Sequence, residues 1–345
     1  MSVSLPPSLP GLLPLFAIAL LASLLTAILG TSLPWLPLSP ILLGILAGMA
    51  LAPVAQQRPT WSSGIALAAG PLLKLAVVLI GLRLSLAELA TTGMAALPVV
   101  LGAIIVGLGV SALLGRILGV SGRLTALLGV GTAICGASAI GATAPALRAR
   151  ADEIAYAIAC VAMFGLAATL VYPPLFQWLL GDSLRVGLAL GGAIHDTAQV
   201  MGAAAFHENI FQTEGTVEAA TVSKLLRNLS MVAVIPLVVM LASKPGDGPG
   251  RLPKPPLFIG LFLLMVMVRS AGDLWLEGAW LENWQALLSL AAHLSAFLFI
   301  MAMAALGLGV RVSVLRSQGG RPALVAIGAA ILVGMTVLLL SYLLV

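Results

Sequence analysis

The sequence predicts an all-α polytopic membrane protein: an inverted repeat of the secondary-transporter kind, with two re-entrant hairpins or broken helices meeting near the bilayer midplane. Three observations carry that prediction. Of 345 residues, 61% are hydrophobic and 8% charged, and the mean hydropathy is +1.14, a composition too apolar for a soluble domain. The stretch Gly131-Thr132-Ala133-Ile134-Cys135-Gly136-Ala137-Ser138-Ala139-Ile140 returns as Gly191-Gly192-Ala193-Ile194-His195-Asp196-Thr197-Ala198-Gln199-Val200. Both copies set small and polar residues inside apolar segments, and a bilayer tolerates interrupted backbone only where it is buried in protein or lines a cavity. Two such copies usually face each other across one site.

Taken in order, the apolar segments place full spans near residues 12–33, 40–56, 65–83, 94–115, 153–179, 216–241, 255–271, 287–310 and 322–345. The chain reads as a single transmembrane domain over 1–345, with a first repeat over about 65–179 and a second over about 186–345. The motif regions, 124–148 and 186–206, lie between spans. Leu12–Leu29 has no Lys or Arg before it, so it reads as a retained span and not a cleaved secretory signal. The 17 Lys and Arg, which give a net charge of +5, sit mostly in short loops, as charge-dependent orientation requires, and imply no nucleic-acid partner. Trp35, Trp61, Trp275, Trp280 and Trp284 fall near span ends as interfacial anchors. Cys135 and Cys160 lie in apolar segments and read as small buried residues, not as a disulfide or metal pair.

Charge chooses between a hairpin and a crossing for the motifs. Arg116 and Arg123 precede the first motif and Arg148 and Arg150 follow it, so a hairpin keeps all four on one side, as the positive-inside rule favours. The same topology puts Lys244, Arg251, Lys254, Arg311, Arg316 and Arg321 in the cytoplasm, and Glu208, Glu214, Glu218, Asp273, Glu277 and Glu282 outside. Nine crossings and two hairpins result, with a pair of crossing broken helices as the alternative. A second match, Gly81-Leu82-Arg83-Leu84-Ser85 with Gly309-Val310-Arg311-Val312-Ser313, supports inversion, as do Pro173 and Pro236 near the ends of the spans after each motif.

The candidate site follows from the motifs. A turn near Cys135 and Gly136 would leave the amides of Ala137, Ser138 and Ala139 as unpaired donors at a positive helix end, a cradle for an anion; packing of small residues is the competing reading. Asp196, at the equivalent turn, is suited to capping the Ala198 and Gln199 amides or to carrying a coupling proton. His195 can titrate near neutral pH, and Gln199 lies one turn further on the same face. Lys224 and Arg227 share a helix face with Asn228, and Arg227 lies about 15 Å along its span, near the bilayer centre. A cation there costs at least ~2.5–3.5 kcal/mol, so two on one face want an anionic partner, and Asp196 balances only one. Arginine can hold two oxygens of a tetrahedral oxyanion. Lys74 reads as snorkelling to the interface and His293 as packing.

The segments Ile134-Cys135-Gly136-Ala137-Ser138-Ala139-Ile140 with Ala142-Thr143-Ala144-Pro145, His195 with Ala198-Gln199-Val200, and Lys224 with Arg227 resemble the YeiH-type family of bacterial membrane proteins, over most of the chain. That family carries a sulfate-exporter name and is related to the cation/proton antiporter and anion transporter superfamily. The resemblance implies a multi-pass protein of the bacterial cytoplasmic membrane and a small anion such as sulfate as substrate. The chain departs from the expected pattern at Asp196, where a glutamate is more usual, so an acid is kept with shorter reach. The combined expectation is a secondary carrier in which Cys135, Gly136, Ala137, Ser138, His195, Gln199, Lys224, Arg227 and Asn228 surround the anion, with His195 and Asp196 coupling a proton or sodium ion. Motion of the hairpin-bearing core would alternate access. The expectation includes the lipid bilayer as partner, allows a homodimer, and contains no cofactor, no metal and, without a phosphate-binding loop, no built-in ATP drive. The rivals are a cation/proton antiporter using Asp196 and an anion channel. An intramembrane enzyme has little support, because Ser138 and Cys135 lie in no nucleophile motif.

Overall fold

The computed structural model describes residues 9–32, 39–242, 257–309 and 319–345. Among these the chain forms thirteen helices and no strand: α1 (Leu9–Ser32), α2 (Pro40–Gln56), α3 (Pro59–Arg83), α4 (Leu86–Ile117), α5 (Gly122–Val130), α6 (Ala137–Thr143), α7 (Ala151–Leu180), α8 (Ser183–Ala193), α9 (Thr197–Phe211), α10 (Thr216–Ala242), α11 (Leu257–Trp275), α12 (Ala279–Leu308) and α13 (Gly320–Leu344). Eight of them, α1, α3, α4, α7 and α10 to α13, are long and apolar enough to cross a membrane. The expected span over 40–56 is a 17-residue helix, at the lower limit of spanning length. The second copy of the Gly81–Ser85 match lies at its Val310–Ser313 part outside the described residues, as do Trp35, Lys244, Arg251, Lys254, Arg311 and Arg316.

Local chemistry explains several boundaries. α4 begins at residue 86 and not near 94 because Ser85 and Glu88 form a capping box: the Ser85 hydroxyl accepts from the Glu88 amide at 3.2 Å and the Glu88 carboxylate accepts from the Ser85 amide at 2.7 Å. α3 is interrupted by a π-turn over Ala68–Leu72 that contains Pro71, whose ring removes a donor from the helical ladder. Ser121 caps α5, accepting from the Leu124 amide at 3.3 Å, and Asp182 caps α8, accepting from the Arg185 amide at 2.9 Å.

The described residues fall into two compact units. One draws on residues 1–89, 205–214 and 257–310. In it α2 and α12 pack backbone to backbone through Gly44, Gly48 and Gly307; a side chain at Gly307 would meet the Ile45 carbonyl at 2.5 Å, the close approach that small residues permit. His293, on α12, is exposed and, among the described residues, meets Ser289 of its own turn, whose carbonyl lies at 2.7 Å, so the expectation of a packed histidine is corrected. Lys74 is exposed, as snorkelling requires.

The other unit, drawn from 90–204, 215–256 and 311–345, holds both motifs. Each motif is a helical hairpin. In the first, α5 continues as a π-turn over Gly131–Cys135, reverses at Gly136, and returns as α6. Leu124, Leu127 and Leu128 of the outgoing arm pack against Ile140, Ala144 and Leu147 of the returning one. Both ends of the hairpin are tied to one carboxylate: Glu153 accepts from the Ser121 hydroxyl at 2.8 Å and from the Arg150 amide at 3.0 Å. Arg150 and Arg321 line one cleft beside Ser121. This segment therefore leaves and returns at the same end.

In the second, α8 runs out and α9 returns. Gly187 lies against Thr216 and Ala219, and Gly191 against Ala220 and Ser223, so α8 runs parallel to α10. The Thr221 hydroxyl meets Met201 at 3.2 Å, so α9 heads back towards the start of α10. The first hairpin has the opposite sense: Val130 clusters with Met231 and Ile235, beyond the tip contacts at Lys224 and Arg227. The hairpins thus approach the middle of α10 from opposite ends. Every residue from Val186 to His195 is buried, which accounts for the apolar and small residues all round α8.

Candidate functional site

The two tips meet on one face of α10, where Lys224 and Arg227 are both fully buried. A helix that stops inside protein leaves its last carbonyls without amide partners, and here two helices stop together. The Lys224 ammonium donates to the carbonyls of Ile134 at 2.9 Å, Ile194 at 3.0 Å and His195. Arg227 donates from Nε to Ala133 at 3.1 Å and from Nη2 to Thr132 at 2.6 Å. Its Nη1 reaches Gly192 at 2.5 Å, Gly191 at 3.1 Å and Ile194 at 3.2 Å. Positions that match in sequence meet the same cation: Ile134 and Ile194 share Lys224, and Thr132 and Gly192 share Arg227. The negative ends of both half-helices are thereby covered by positive charge, the favourable sense for the helix dipole.

The returning arms begin beside this clasp. Gly136 has φ +64° and ψ −126°, a conformation that glycine adopts without steric cost. A Cβ there would lie 3.0 Å from Val161 and 3.6 Å from Asp196, so the two turns touch, and they are the residues that align in the repeat. Asp196 caps α9, accepting from the Ala198 amide at 2.9 Å. Ala137 and Ser138, at the start of α6, are exposed, whereas Cys135 is buried and unoxidised.

The structure gathers most of the expected residues and redirects four. Lys224 spends all three ammonium hydrogens, and Arg227 engages each of its nitrogens, on backbone carbonyls. Arg227 therefore acts on the site as fixed charge; the expected two-oxygen grip on an oxyanion is corrected because the fork is already bound. Gln199 was expected beside the anion, but its Nε2 donates to the Ala162 carbonyl of α7 at 2.8 Å and its amide fills the space over Gly165. Asn228 donates to the Thr197 hydroxyl at 3.3 Å, at the first residue of α9. Of the buried polar atoms without a hydrogen-bond partner among the described residues, four lie in the motifs or beside Arg227: Thr132 Oγ1, His195 Nδ1, Gln199 Oε1 and Asn228 Oδ1. Buried polar groups are seldom left so, and three of the four belong to the tips or to the residue beside Arg227. Gly165 and Glu153 were missed; the first carries no sequence signal, and the second is visible only once the hairpin is closed.

The family profile described as Conserved hypothetical protein 698 matches residues 10–326. A UPF0324 membrane protein of Fusobacterium nucleatum is 31% identical over 288 residues, 81% of this chain and 83% of its own. One of Streptococcus pneumoniae is 31% identical over 304 residues, 87% of this chain and 88% of its own. Another, of Bradyrhizobium diazoefficiens, is 33% identical over 345 residues, 97% of this chain and 93% of its own. No solved structure matches.

Proposed function

The chain belongs to the family described as Conserved hypothetical protein 698, multi-pass membrane proteins, and from that premise we propose that it is a secondary carrier of a small oxyanion, sulfate or a related sulfur oxyanion, working by alternating access. One observation carries the reading: two helical hairpins, entering from opposite ends, meet at a buried Lys224–Arg227 pair with Asp196 at the junction. Discontinuous helices meeting in this way are the usual binding architecture of inverted-repeat carriers, and descent of the two hairpins from one duplicated segment explains why Ile134 and Ile194 meet one ammonium.

Charge points to an anion. The two side chains bring two positive charges, the two half-helix C-termini together return about one negative charge, and the two N-termini about one positive. With Asp196 ionised the junction keeps roughly one unit of positive charge, and with Asp196 protonated roughly two. Protonation of Asp196 would thus favour the anion, the basis for proton coupling. The exposed Ser138 hydroxyl and the amides beside it supply direct contacts, and Lys224 and Arg227 supply the field. The enzyme and antiporter readings leave the positive excess without a role; an anion channel would use it too, and flux rates far above carrier turnover would reveal one.

The test is counterflow of labelled sulfate and sulfite in proteoliposomes, with and without a pH gradient. Wild type should show saturable exchange, weakened in Ser138→Ala and uncoupled from the gradient in Asp196→Asn. Sodium-driven proton flux that needs Asp196, with no anion movement, would replace this reading with the antiporter.

A further inference from the structure

We propose that the Lys224 ammonium is a tethered cation that occupies the place of a free coupling sodium ion at the tip junction, so that the protein is indifferent to sodium. In carriers with discontinuous helices, the carbonyls at half-helix C-termini coordinate the coupling cation. Here three such carbonyls, from Ile134, Ile194 and His195, converge on Nζ instead. The three hydrogens of an ammonium match three acceptors, and none is left over. Lys224 has no exposed surface, so water does not compete for those carbonyls.

A second monovalent cation has no room on electrostatic grounds. Two unit charges ~4 Å apart repel by ~4 kcal/mol at the effective dielectric of protein sites, about a thousandfold in affinity. Arg227 holds the flanking carbonyls of Thr132, Ala133, Gly191 and Gly192, so these half-helix oxygens are equally taken. The cage is therefore selective through a covalently attached occupant, and removing that occupant should uncover an ordinary cation site of three carbonyls beside the Asp196 carboxylate.

The inference deepens the carrier reading by naming what the site does not couple to, but its test does not require transport. Purified full-length wild type is unfolded thermally in sodium, potassium and choline chloride at equal ionic strength, beside Lys224→Ala titrated with sodium and with methylammonium. The expected result is one midpoint for wild type in all three salts, and a lowered midpoint for Lys224→Ala that rises saturably with sodium or methylammonium but not with choline. Selective stabilisation of wild type by sodium overturns the proposal, as does a Lys224→Ala protein that gains nothing from any small cation. If that variant cannot be isolated, the wild-type comparison still decides, joined by anion counterflow with and without a sodium gradient, which should be equal. Absence of any anion flux would sink the carrier reading and leave the midpoint results standing.

Discussion

Arg227→Met removes a fork that donates five hydrogen bonds while keeping a long unbranched side chain in its place. The lost contacts run from 2.5 Å to 3.2 Å and serve five carbonyls in two different half-helices. Hydrogen bonds to a charged group contribute ~1.5–3 kcal/mol each, and a buried acceptor left bare costs a further ~1–3 kcal/mol. These effects do not add, because Ile194 keeps Lys224 and the freed ends can shift. Breaking one side of a buried charged contact costs ~3–5 kcal/mol, which we take as the expected loss. For a unit of this size each kcal/mol moves the unfolding midpoint by ~2–4 °C, so Arg227→Met should melt at least ~6 °C below wild type in detergent. Arg227→Lys keeps the charge but not the fork and should fall between them. Tryptophan fluorescence on heating reads all three proteins. An Arg227→Met midpoint within ~2 °C of wild type would show that the carbonyl clasp does not hold the tips.

Three further outcomes follow from the same geometry. Gly165→Ala should lower stability by ~1–3 kcal/mol because its methyl meets the Gln199 amide, and Gln199→Ala in the same chain should recover most of the loss; additive costs in the double variant would contradict the contact. Single cysteines at Gly122 and Ala149 should label from the same membrane face, since Glu153 ties both ends of the first hairpin; labelling from opposite faces would reject the hairpin. Glu153→Ala should unfasten that base and lower the midpoint, whereas Glu88→Ala, at the cap of α4, should cost ~0.5–2 kcal/mol.

Much of this architecture was legible in the residues. Composition fixes the helical membrane class, the turn at Gly136 follows from a glycine between two apolar arms, and the flanking arginines point to the two ends that Glu153 joins. The capping role of Asp196 was visible as one of two readings. Other features were not readable because they depend on distances between segments far apart in the chain. Burial of Lys224 and Arg227 announces a need for negative charge, but the sequence offers only carboxylates as named partners, and the carbonyls of Thr132 to Ile134 and Gly191 to His195 have no residue type to advertise them. Gln199 was misplaced for a related reason: its helix face was right, but the absence of a side chain at Gly165 opens a slot in α7 that draws the amide away. The start of α4 is written in the Ser-x-x-Glu signal at Ser85 and Glu88.

The central claim is that the junction of the tips keeps a positive excess that a small oxyanion completes. It is tested most directly by equilibrium binding of labelled sulfate and sulfite to the purified protein, beside Ser138→Trp, which fills the exposed start of α6. The account predicts saturable retention of at least one of these anions, competed by the other and lost in the Trp variant. No saturable retention of either, from a protein whose unfolding midpoint shows it intact, would contradict it.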